Sequence, residues 1–252
     1  MNRVLLGILT PSSNTQLEPL TVRMLDGLPE VTAHFSRFRV VDVGLEASAQ
    51  FDLDPILAAA DLLADAQVNA IAWSGTSGGW RGIEHDQRLC DLIRQRTGIP
   101  ATTSTLALLE AAAGDRAVGL VTPYPDDLHD VVVNTLTTAG VAITGSRNHF
   151  VTKSNWELSN IPAGAIGALA AELAASGVDA IAVYCTNLAA APEAAAWEEA
   201  HGVRVYDSVA LAVWGALRLA GVDAGRVTGW GSLFRALAPI HFALRQAQRQ
   251  TS

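Results

Sequence analysis

Two stretches of this chain carry one pattern. Asp179-Ala-Ile-Ala-Val-Tyr-Cys185-Thr186-Asn187 and Asn69-Ala-Ile-Ala-Trp-Ser-Gly75-Thr76-Ser77 align residue for residue. Each is a short apolar run that passes into a polar loop. Such a run suits a strand covered on both faces, as in a parallel sheet. Two more pairs keep the same order. Leu6-Gly-Ile-Leu-Thr10-Pro11 returns as Val118-Gly-Leu-Val-Thr122-Pro123. Gly98-Ile99, followed by Ser104-Thr-Leu-Ala-Leu, returns as Gly202-Val203, followed by Asp207-Ser208-Val-Ala-Leu. The offsets are roughly 112, 110 and 104 residues, and three collinear matches imply a duplicated, βαβ-rich half.

Strands alternating with helices imply a parallel sheet in each half. The expected fold is therefore α/β, with two pseudo-symmetric lobes. Each lobe is a mostly parallel sheet flanked by helices, and the active site lies in the cleft between them. Residues 1–114 form the N-terminal lobe and 115–208 the C-terminal lobe. Residues 209–252 form a helical segment that packs back on the first lobe. In the first half the pattern predicts a strand over 3–10, a loop through Pro11-Ser-Ser-Asn14-Thr15 and a helix that Thr15 caps. A strand follows near 31–41, then a helix over 54–67 with Pro55 in its first turn. Strand 69–74 leads into a glycine-rich loop over 75–82. A helix over 83–97, closed by Gly98, precedes a short strand at 100–102 and a helix over 104–113. Residues 235–249 read as a final amphipathic helix, a packed lid or an interface.

The 252 residues are half hydrophobic, enough for a substantial core. Net charge is −8, and the 17 Lys and Arg residues are scattered, which argues against nucleic acid as a partner. No segment reaches the roughly 20 apolar residues of a membrane span. The first residues, with one Arg and a short apolar run, read as a strand and not a signal peptide. Two cysteines make neither a disulfide framework nor a zinc site. The six histidines have no metal-ligand spacing, and no metal or cofactor is expected. A soluble, cytoplasmic setting fits, and Ala-rich helices leave a homo-oligomer open.

Ligands of open parallel sheets bind outside the carboxyl ends of the strands. That rule gathers Thr10-Pro11, Gly75-Thr76, Thr122-Pro123 and Cys185-Thr186 at the cleft. Ser74-Gly-Thr-Ser-Gly-Gly-Trp80-Arg-Gly82 is rich in glycine and hydroxyls. It serves either as an anion cradle or as a plain strand-to-helix turn. It lacks the P-loop and dinucleotide patterns, so the anion expected is a carboxylate. Cys90 sits inside an amphipathic helix and reads as a small buried hydrophobe. Cys185 stands at a strand end before Thr-Asn, where a thiol can meet a ligand. Tyr124 brings its hydroxyl to the matching edge of the second half. Asp126 and Asp127 read as acidic residues in the first turn of a helix.

These residues resemble the aspartate/glutamate racemase superfamily over nearly the whole chain. Pro11-Ser-Ser-Asn14-Thr15 and Lys153-Ser-Asn155-Trp-Glu157-Leu are similar to its maleate cis-trans isomerase branch. That likeness implies Asn14, Tyr124 and Asn155 as carboxylate contacts. Gly75-Thr76-Ser77, Trp80-Arg81-Gly82, Tyr124-Pro-Asp-Asp and the single cysteine of the second half are similar to the arylmalonate decarboxylase branch. Residues 214–221 match that branch as well. Racemases and maleate isomerases of the superfamily carry one cysteine from each half. Here Gly75 replaces the first, as in the decarboxylase branch. There Thr, Ser and Tyr hydroxyls hold one carboxylate and the lone cysteine gives the proton. This chain departs at Thr186, where the decarboxylase has glycine. A bulkier residue narrows the pocket and argues against an aryl substituent.

Two-base racemisation needs an acid and a base on opposite faces of one carbon, and one cysteine supplies only one of them. Decarboxylation needs a cradle for the enediolate and one acid. Preorganised donors of such a cradle are each worth about 2.7–4 kcal/mol. A cysteine with an ordinary pKa of about 8.5 is mostly thiol at neutral pH, which suits an acid. The favoured expectation is a cofactor-independent decarboxylase of a substituted malonate-like dicarboxylic acid. In it Thr76, Ser77 and Tyr124 hold the reacting carboxylate, and Asn14 and Asn155 the second polar group. Pro11, Gly75 and Thr186 line the site, and Cys185 delivers the proton. The alternative is an isomerase or racemase using Cys185 with water or Tyr124. A third reading is a non-catalytic dicarboxylate-binding protein.

Overall fold

The computed structural model describes residues 3–235. The helix expected over 235–249 lies outside the described residues, Arg235 excepted. The first half runs β1 (Val4–Pro11), α1 (Leu17–Leu25), β2 (Val31–Phe38), α2 (Leu53–Asp65), β3 (Ala70–Trp73), α3 (Gly78–Arg81), α4 (Ile83–Thr97), β4 (Ala101–Thr103) and α5 (Ser104–Ala111). The second half runs β5 (Val118–Thr122), α6 (Asp126–Thr138), β6 (Ile143–Asn148), α7 (Ala163–Ala175), β7 (Ala180–Val183), α8 (Ala194–His201) and β8 (Arg204–Asp207). Helix α9 (Ser208–Leu219) follows.

Each half builds one parallel four-stranded sheet. The orders are β2-β1-β3-β4 and β6-β5-β7-β8, the same topology twice. Register bears out the repeat. Leu9 lies beside Trp73 and Val121 beside Val183. Gly75 and Cys185, each two residues farther on, therefore hold equivalent places. The fold is thus the two-lobed α/β arrangement that the repeat implies.

Strand β3 is buried on both faces, and its side chains alternate between two cores. Ala72 joins the larger core with β5, β7 and α9, whereas Ile71 and Trp73 join a second one with Leu9, Phe38, Ile56, Leu89 and Ile93. Period-2 alternation places Trp73 on the same face as the residue two farther on. Helix α9 is buried along residues 208–217 and packs against α1, α5, β3 and β4. Asp207 caps it, its Oδ1 accepting from the N–H groups of Val209 and Ala210.

Several local expectations need correction. Thr15 does not cap α1: the N-cap position is Gln16, and the Asn14 Oδ1 accepts from the N–H groups of both Gln16 and Leu17 at 2.9 Å. The Thr15 N–H instead donates to Asn187 Oδ1 in the other half. The stretch 75–82 is not all loop, since α3 forms one helical turn within it. Strand β2 ends at Phe38, and the chain then crosses toward the second half. There residues 41–43 meet 153–155: Val43 N–H donates to Lys153 O and Asn155 N–H to Val41 O, at 2.8 and 2.9 Å. Helix α4 ends as expected at Gly98, whose φ of 74° is the left-handed conformation that glycine adopts without strain.

Candidate active site

The carboxyl ends of β1, β3, β5 and β7 converge on one cleft. Pro11, Gly75, Thr76, Tyr124, Cys185 and Thr186 line it from those ends. Val40, Val43, Phe51, Trp73, Trp80 and Asn155 complete the walls. The cavity among them measures about 20 Å³, close to the room one water needs.

Tyr124 stands at the centre, because β5 ends in Thr122-Pro123 and delivers it to the cleft floor. Its hydroxyl lies 2.8 Å from Thr76 Oγ1 and beside the sulfur of Cys185. Trp80 packs edge-on against the Tyr124 ring at 5.4 Å, and Phe51 edge-on against Trp80. Burial pushes the phenol well above its ordinary pKa, and the nearby Cys185 adds to that. Tyr124 therefore stays protonated and acts as a hydrogen-bond donor.

Cys185 is 3% exposed. Burial pushes its thiol up to about 11; the Asn187 N–H and the Tyr124 hydroxyl oppose the rise, Asp207 adds to it, and the Leu188 N–H opposes it. At neutral pH the group is a thiol and can give a proton. The donors around the sulfur then steady the thiolate left behind. Cys90 is also a free thiol, and burial first, then Asp86, raises its pKa well above the ordinary value.

The N–H groups of Thr76 and Ser77 donate to no protein acceptor among the described residues. Ser77 is fully buried and does not line the cleft; its Oγ accepts the Trp73 indole N–H at 3.2 Å. The glycines of this loop make room for side chains from elsewhere. A Cβ on Gly75 would meet Trp73, one on Gly78 would meet Asp86, and one on Gly79 would meet Tyr184.

Asn14, Asn155 and Thr186 gather at the seam between the halves. Asn14 Nδ2 donates to Thr186 Oγ1 at 3.1 Å, and Asn155 Nδ2 to Ser13 Oγ at 2.8 Å. Asn187 Nδ2 donates to the Asn155 carbonyl. Asn155 and Thr186 line the cleft, whereas Asn14 is buried behind Thr186. Trp73 and Phe51 escaped the sequence reading, as did the contacts that Asn187 makes across the seam. Phe51 meets Trp80 and Asn187 meets Thr15 only in the folded chain, and the tryptophan's place in the repeat did not disclose its contacts with Gly75 and Ser77.

Comparisons with known proteins point to one family and one fold. A family model described as arylmalonate decarboxylase matches residues 30–234. The chain is 26% identical to an arylmalonate decarboxylase of Bordetella bronchiseptica over 234 residues, covering 91% of this chain and 95% of that one. It is 28% identical to a maleate isomerase of Geobacillus stearothermophilus over 155 residues, covering 56% and 61%. Among solved structures, a Nocardia farcinica maleate cis-trans isomerase variant with a covalently bound succinylcysteine intermediate superposes with a TM-score of 0.84. It is 25% identical and covers 93% of this chain and 99% of its own.

Proposed function

Since the chain belongs to the arylmalonate decarboxylase family, we propose that it is a cofactor-independent decarboxylase of a small, substituted malonate-like diacid. The observation that carries this reading is the single buried thiol of Cys185, held protonated beside Tyr124 and Thr76. The bond between the α-carbon and one carboxylate breaks, and carbon dioxide leaves. The electron pair stays on the α-carbon and spreads into the remaining carboxylate as an enediolate. The Tyr124 and Thr76 hydroxyls, with the N–H groups of Thr76 and Ser77, donate to the enediolate oxygens. Cys185 then gives its proton to the α-carbon, and water restores the thiol. Donors fixed in advance favour the enediolate over the substrate because charge grows on those oxygens as the bond breaks.

A second reading, cis-trans isomerisation of maleate, has support from Asn155 and Thr186, two polar groups on the cleft wall. It needs Cys185 as nucleophile, and a thiol pushed to about 11 is poorly placed for that until it ionises. The test is incubation with a panel of malonates, maleate and aspartate in D₂O, followed by proton NMR. Loss of one carboxyl group with one deuterium retained, abolished in Cys185→Ala, is the expected result. Clean conversion of maleate to fumarate without carbon dioxide release overturns the reading.

A further inference from the structure

Gly75 and Cys185 are equivalent by register, yet the ground beneath them differs. Two residues before Cys185 stands Val183, and two before Gly75 stands Trp73. A Cβ on Gly75 would lie 2.1 Å from Trp73 Cζ2 and 2.2 Å from Cε2, inside the indole itself. The Gly75 N–H folds back onto the Trp73 carbonyl at 3.0 Å, which presses the loop against the ring. The indole has nowhere to go. It is 1% exposed, Phe38 packs on it at 4.8 Å, and its N–H is bound to Ser77. Interiors this dense do not absorb an extra side chain by small shifts.

We propose that Trp73 is the specificity-determining residue that keeps this site to one thiol. By filling the space above Gly75 it excludes any side chain there, so proton transfer is confined to the Cys185 side. The inference rests on the proposed reaction only for its catalytic half; the steric half stands alone. The second half of the chain supplies the design that reverses it. Pairing Trp73→Val with Gly75→Cys copies Val183 and Cys185 into the first half.

The steric half is tested by a double-mutant cycle on melting temperature. Gly75→Ala, the smallest addition, is expected to lower the melting temperature sharply in the wild type. In a Trp73→Val background the same change is expected to cost little. Trp73→Leu, which leaves a smaller void, provides the same comparison should Trp73→Val not fold. Gly75→Ala tolerated equally in both backgrounds overturns the proposal.

The catalytic half is tested with one enantiomer of aspartate, a small dicarboxylate that carries no aryl group. In D₂O, Trp73→Val/Gly75→Cys is expected to racemise it with α-deuterium uptake. The wild type, Gly75→Cys alone and Trp73→Val alone are expected not to. A folded double variant with two titratable cleft thiols and no exchange refutes confinement by Trp73. Neither arm requires turnover of a malonate, so failure of the proposed decarboxylation is seen separately, in the wild type.

Discussion

Asp207 offers a test of the site's electrostatics that requires no substrate. Its side chain is fully buried, and Oδ2 has no partner among the described residues. Burial pushes the carboxyl up to about 7, with the N–H groups of Ala210 and Val209 pulling the other way. In the unfolded chain the same group titrates near its ordinary value of about 3.9. The folded state therefore holds the proton more tightly. Its contribution to stability is complete below about pH 4 and is lost as pH rises toward 7. Asp207→Asn keeps an Oδ1 to cap α9 and never ionises. From pH 5 to pH 8 the Asn variant is expected to gain about 2–3 kcal/mol on the wild type. Urea unfolding at both pH values, at one ionic strength, measures that change directly. The new amide also has to be accommodated, but that cost is the same at every pH. A gap that stays constant, or that shrinks as pH rises, refutes the reasoning.

Three further outcomes follow from the cleft. Turnover requires the Cys185 proton, so a thiol at about 11 is expected to hold activity flat from pH 7 through pH 9. An ordinary thiol would already be failing there; Asp207→Asn is expected to move the descending limb toward lower pH, and a pH–rate profile reads both. Tyr124→Phe removes the hydroxyl that both Thr76 and Cys185 meet and is expected to lower turnover on the order of 100-fold, measured as kcat. Asn187→Ala leaves the Asn155 carbonyl and the Thr15 N–H without partners at the seam, at a cost of about 1–3 kcal/mol in urea unfolding. Unchanged stability would mean that those bonds at the seam are not made in solution.

What the sequence disclosed was set by local pattern. The apolar runs at 69–74 and 179–184 and the Thr-Pro pair closing two strands repeat on a scale that needs no partner to be read. They sufficed for two parallel sheets with one cleft at their carboxyl ends. Helix α4 was legible to the residue, because Gly98 ends it by its own backbone preference. Strand β6 was not expected. It lies at the edge of its sheet, and Ile143–Asn148 is mostly polar and partly exposed, so it lacks the apolar run that marked its neighbours. Thr15 was a sound local choice as a cap, yet the side chain that accepts from the Gln16 and Leu17 N–H groups is that of Asn14, one residue earlier. Ser77 looked like a carboxylate ligand, and its hydroxyl went to the Trp73 indole instead. In the seam, contacts between residues more than a hundred positions apart decide the outcome, and no spacing rule reports them.

The indole over Gly75 also orders the mutations by which such a chain could change its chemistry. A descendant that acquired a side chain at position 75 first would pass through a protein with two groups in one space. One that first reduced Trp73 would meet no such barrier, and the second substitution would then be open to selection. The two steps do not commute. Ancestry is recorded in the duplicated halves, but the accessible direction is governed by a ring in the core, two residues upstream of the position that would bear the new function.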